Sequence, residues 1–178
     1  YDQLLLKREG LYREVVPYLE KSLGIDGADV EVLNTLKNIY GTLGETERFR
    51  EIKALEAIAQ DPTNPVLYFN LGFIYSEQGN AQAAREYYEK SIELDPSYRA
   101  SYLNLVSLIL DGEKELVDEM NSLGNSRADN LKYDQLLLKR EGLYREVVPY
   151  LEKYLGIDGD DVEVLNTLKN IYGTLHEN

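Results

Sequence analysis

The chain has no cysteine, no tryptophan, one methionine and one histidine in 178 residues. Without thiols there is neither a disulfide nor a thiolate metal site. One imidazole is too few for a nucleophile–base pair or a zinc site. Proline is scarce as well, at five, and with 43% hydrophobic residues the composition excludes disorder. No apolar run approaches the roughly 20 residues that span a bilayer. The opening residues lack the charged-then-apolar order of a secretion leader. A soluble chain is expected, compatible with cytoplasmic expression, and the missing initiator Met reads as a trimmed or excerpted chain. Basic residues number 19 against 32 acidic ones, for a net charge of −13. Phosphate backbones and anionic membranes repel such a surface, so neither nucleic acid nor membrane is an expected partner. No Gly-rich phosphate loop occurs, and no cofactor or metal is expected.

What is present is repetition. "YDQLLLKREGLYREVVPYLEK" begins at Tyr1 and again at Tyr133, and residues 1–46 return as 133–178 with 42 of 46 positions identical. The differences are Ser22/Tyr154, Ala28/Asp160, Gly44/His176 and Thr46/Asn178. Helix surfaces tolerate most substitutions at under about 0.5 kcal/mol, so an old duplication drifts further than this. The copy reads as recent and engineered. Because His176 stands where the other copy has Gly44, the repeat does not need it, and it is read as having no catalytic or ligand role.

A shorter period runs through the middle. In "PVLYFNLGFIYSEQGNAQAAREYYEKSIELDP", Pro65 to Pro96, residues Tyr68, Leu71 and Tyr75 recur at three and four positions, which stacks them on one helix face. Gly72 lets a partner helix approach, and Ala84 serves the same need from the other side. Gly79-Asn80 ends one helix and starts the next, and Asp95-Pro96 stops the second.

Tyr68, Leu71, Gly72, Tyr75, Ala84, Tyr88 and Pro96 follow the spacing W-x2-L-G-x2-Y, A-x3-F, P, with Tyr for Trp and Phe. The stretch resembles a tetratricopeptide repeat. That resemblance implies an all-α fold, a right-handed superhelical solenoid of antiparallel helix pairs, whose first helices line a concave peptide-binding side. Equivalent units start at Val30, Pro65, Arg99, Ala128 and Val162. They divide the chain into a truncated repeat (1–29), repeats at 30–64, 65–98, 99–127 and 128–161, and a final helix (162–178). Within 128–161 a helix pair joined at Gly142 is expected. Lys37 stands where the pattern prefers Gly, so wider helix spacing is expected there.

Carrying the resemblance over, the groove comprises Asn34, Asn38, Phe69, Asn70, Phe73, Asn104, Asn166 and Asn170. Their amides can pair with a peptide backbone in both senses. The bland alternative is an exposed polar helix face.

Terminal repeats need a polar outer face, and these ends are apolar: Leu4, Leu5 and Leu6 at one, Leu165, Leu168 and Tyr172 at the other. Three readings follow. The ends associate head to tail between chains, as a homo-oligomeric ring or filament; the opening copy of one chain replaces the closing copy of another; or the last helix is an ordinary cap. The function expected is a non-enzymatic interaction scaffold with protein or peptide partners, engineered to self-associate. The alternatives are a natural peptide-binding adaptor and an enzyme with an unrecognised acidic site.

Other acidic features read as structural. "GIDGDDVE" at 156–163 lacks the spacing of a calcium loop and is expected to cap a helix. Glu45/Glu47 and Glu113/Glu115 sit in polar runs and are expected to be solvated. Most of the fifteen tyrosines fall at core spacing.

Overall fold

The structure, a computed structural model, describes residues 2–26 and 29–176. Among them there are helices and no strands. The chain divides into two compact units, Tyr1–Leu94 and Asp95–Asn178.

The first unit holds α1 (Asp2–Asp26), α2 (Val30–Leu43), α3 (Thr46–Gln60), α4 (Pro65–Glu77) and α5 (Ala81–Leu94). Each packs on its chain neighbour, and the α4/α5 pair closes the unit. Local chemistry sets the ends. The Asp29 carboxylate accepts the Glu31 N–H at 2.8 Å and so caps α2. Gly44 ends α2 at φ 71°, a conformation that costs glycine nothing. Gly79 turns the chain into α5 at φ 74°, and the Asn80 side chain accepts the Ala83 N–H at 3.3 Å.

Two clusters make the core of this unit. Leu33, Leu36 and Tyr40 of α2 meet Ile52 of α3, with Val16, Leu19 and Leu23 of α1 closing the other side. In the α4/α5 pair a Cβ on Gly72 would lie 2.8 Å from the Tyr88 ring and 3.1 Å from the Ala84 carbonyl. That is why the pattern needs glycine there. In the α2/α3 pair Lys37 takes the equivalent place and forms an ion pair with Glu56, so a charge contact occupies the space that Gly72 leaves to a ring.

The second unit holds α6 (Arg99–Ile109), α7 (Glu113–Ser122), α8 (Arg127–Ile157) and α9 (Val162–His176). Both α6 and α7 pack on α8, which in turn packs on α9. Here one expectation fails. The helix pair expected to join at Gly142 is a single 31-residue helix, running unbroken through Gly142 and Pro149. A mid-helix glycine costs about 1 kcal/mol, and Leu136, Tyr144, Val147 and Leu151 are buried on both sides of it. Burial at roughly 1.5–3 kcal/mol per large side chain adds to the stability of α8, but the small cost of one glycine is tolerated without it. The same sequence in α1 is likewise one helix through Gly10 and Pro17. A capping box at Ser126 and Asp129 starts α8, with both hydrogen bonds at 3.1 Å.

Candidate functional site

The residues expected to line a groove are divided between the two units. Asn34 and Asn38 lie on α2, and Phe69, Asn70 and Phe73 on α4, with α3 packed against both helices. Asn104 is on α6, and Asn166 and Asn170 on α9, in the second unit. Several are already engaged. The Asn34 amide donates to the Val30 carbonyl at 2.9 Å, and its oxygen accepts from Lys37 Nζ at 2.9 Å. Asn104 donates to the Ala100 carbonyl at 2.9 Å. Phe69 turns inward, its ring 5.8 Å from that of Tyr88, and so serves packing. On α4 that leaves Asn70 and Phe73, both exposed and three residues apart on one helix face.

The two duplicated copies are more informative, because identical residues meet different surroundings. Leu4 of α1 is 74% exposed, whereas its duplicate Leu136 in α8 is 4% exposed. Leu11, Val15 and Tyr18 continue the α1 stripe, at helical spacing, and are also exposed. Among the described residues α1 packs only on α2, while α8 packs on α9 and also on α6 and α7. Cover by α6 and α7 is therefore what separates the copies. Leu6 is different: it and its duplicate Leu138 are both well exposed, at 66% and 64%, so its exposure belongs to the helix face and not to the chain end. Leu5 is only partly open.

At the other end the contrast runs the opposite way. Leu33 is 1% exposed under α3, and its duplicate Leu165 is 45% exposed. Two expected members of this patch require correction. Leu168 is 6% exposed, shielded by α8 through the same interface that covers its duplicate Leu36. Tyr172 is half-buried, and its hydroxyl donates to Glu152 at 2.6 Å. The single preceding helix, α8, is enough to shield them. Leu165, with Val162, remains open.

Glu113 is the residue that sequence reasoning missed. Expected to be a solvated helix-start acid, it instead accepts hydrogen bonds from Arg140 Nε at 2.9 Å and from the Tyr144 hydroxyl. Burial and that carboxylate push the Tyr144 hydroxyl up to about 12, so it stays a proton donor at any ordinary pH. Parallel pairs recur: Tyr40 donates to Glu20 at 2.6 Å, Tyr75 to Glu51 at 2.8 Å and Tyr154 to Asp161 at 2.7 Å.

Among the described residues no group of three or more His, Asp or Glu could hold a metal ion. Asp95, Glu119, Asp129 and Asp161 are all held below their ordinary values, each chiefly by a side-chain hydrogen bond. A general acid needs the opposite shift. Asp161 accepts the N–H groups of Glu163 and Val164, both at 3.1 Å, and so caps α9. No described helix is long and apolar enough to cross a membrane. The His176 side chain and Ala28 lie outside the described residues.

Comparison with known proteins places a tetratricopeptide repeat model on residues 66–98, the stretch where Gly72, Ala84 and Tyr88 pack. The chain is 28% identical over 133 residues to the probable UDP-N-acetylglucosamine–peptide N-acetylglucosaminyltransferase SPINDLY of Hordeum vulgare, covering 75% of this chain and 14% of that protein. It is 34% identical over 79 residues to the photosystem I assembly protein Ycf3 of Prochlorococcus marinus, covering 43% of this chain and 45% of that one. It thus spans less than half the length of either. The first TPR of Spaghetti bound to an HSP90 peptide aligns at 19% identity and a TM-score of 0.43, covering 85% of this chain and 98% of that one. That likeness is too distant to carry function. The described residues are helical throughout their regular structure, and residues 66–98 match the tetratricopeptide repeat model.

Proposed function

We propose that the chain is a non-enzymatic protein–protein interaction scaffold whose duplicated ends promote head-to-tail association between copies. The observation that supports this is the apolar stripe of α1, open to water at Leu4, Leu11, Val15 and Tyr18, although the same sequence in α8 is covered. Single exposed apolar residues are ordinary, whereas a continuous row of them marks an interaction surface. Leu165 and Val162 open a second patch on α9. Contact between unlike surfaces builds a ring or an open filament, and an engineered duplication is a direct way to create such ends. Light scattering over a dilution series from about 1 μM to about 1 mM tests this, that upper bound being the scale of intramolecular effective concentrations. The apparent mass is expected to rise above the 20.4 kDa of one chain. A mass that stays at one chain throughout would reject association.

The exposed pair Asn70 and Phe73 on α4 favours a second reading, a peptide-binding adaptor. Peptides selected on the protein from a random library are then expected to lose about tenfold in affinity on Phe73→Ala, as central aromatic contacts do, and less on Asn70→Ala. Unchanged affinity in both variants would remove α4 from the groove.

A further inference from the structure

The α6 and α7 helices form a seat, and most of what α8 places on it is spelled a second time in α1. Leu136, Tyr144 and Val147 are buried there, and Glu113 grips Arg140 together with Tyr144. Their duplicates are Leu4, Tyr12, Val15 and Arg8. The pair is already formed in α1: the Arg8 guanidinium lies 5.9 Å from the centre of the Tyr12 ring, as Arg140 lies 5.0 Å from that of Tyr144. Among the described residues α1 packs only on α2, with neither a carboxylate in the place of Glu113 nor a cover for its apolar stripe. The seat supplies both.

We propose that the α6–α7 seat accepts α1 of a second copy of this chain in place of the chain's own α8, so that copies join by exchanging residues 1–26 for residues 133–158. This rests on the reading that the chain associates with itself, and names the surface and the occupant. The exchange buries in one copy the face that it uncovers in the other. It is therefore nearly balanced in apolar area, as segment exchange between identical elements generally is.

Three features keep α8 seated in a dilute chain. Tyr154 replaces Ser22; it is buried, with the Arg99 guanidinium 5.7 Å from its ring centre. Lys132, at the start of α8, forms an ion pair with Glu119 of α7 at 2.7 Å. The short connection from α7 also holds α8 at an effective concentration on the order of millimolar. Loosening α8 alone should therefore hand its place to α1.

Val147→Asp in the full chain does this, since it puts a carboxylate into the seat in one copy only and leaves Val15 unchanged. At about 50 μM, well below that effective concentration, the apparent mass is expected to at least double with helical circular dichroism retained. The double variant Val15→Asp/Val147→Asp is expected to return to the mass of one chain. A Val147→Asp protein that stays monomeric, or a double variant that associates as readily, would overturn the exchange. If wild type associates while Val147→Asp gains nothing, the seat is wrong and end-to-end association stands. Should Val147→Asp lose its helicity, Ser22→Tyr/Tyr154→Ser decides, because it moves the discriminating ring to α1. Its midpoint concentration for association is expected to fall about fivefold relative to wild type, and an unmoved or higher midpoint would overturn the proposal.

Discussion

Leu33→Ala is expected to cost about 2–5 kcal/mol, and Leu165→Ala under about 1 kcal/mol, although the two leucines occupy the same local sequence. Leu33 is sealed between α1, α2 and α3, so truncation leaves a cavity that its neighbours cannot fill. Leu165 faces water on α9, and helix propensity hardly separates Leu from Ala. Urea denaturation in dilute solution, followed by circular dichroism, measures both. Equal costs would mean that something covers Leu165 even in the monomer. The comparison holds composition and secondary structure nearly constant and varies only the neighbour, which few natural chains permit.

Gly72→Val is expected to destabilise by about 3 kcal/mol. The new Cβ meets the Tyr88 ring at 2.8 Å, and that ring is itself buried, 5.8 Å from the ring of Phe69, so it has no open space to swing into. Thermal unfolding should fall by about 6–12 °C for a chain of this size. Gly142→Ala is the control of opposite sign. Nothing lies within 4 Å of the position its Cβ would take, and Gly142 itself is exposed. There the added methyl should stabilise by about 0.4–1 kcal/mol, through helix propensity and a less free unfolded chain. Destabilisation at both sites would argue against a continuous α8.

The features legible in the sequence were those in which a few adjacent residues decide the outcome. Gly72 and Ala84 at the helix crossing, Gly79-Asn80 at the turn and Asp161 at the start of α9 are of this kind, since spacing or capping chemistry alone requires them. The unbroken α8 was misjudged because Gly142 signals a break locally, whereas one mid-helix glycine costs only about 1 kcal/mol, and the same sequence stays helical in α1 without α6 and α7. Glu113 was hidden for a different reason: its partner Arg140 is 27 residues away, and nothing in a polar helix start announces a distant guanidinium. The inward turn of Phe69 and the shielding of Leu168 likewise depend on which helix comes next to them. Apolar periodicity shows which face of a helix seeks cover, but not whether cover exists.

The phenol–carboxylate pairs at Tyr40, Tyr75, Tyr144, Tyr154 and Tyr172 bear on how a molecule with a net charge of −13 responds to ionic strength. Each fixes an anion with an uncharged donor, so dissolved ions weaken it far less than they weaken a contact between opposite charges. Mutual repulsion across the acidic surface, by contrast, is screened. Saline media should accordingly tighten this protein rather than loosen it.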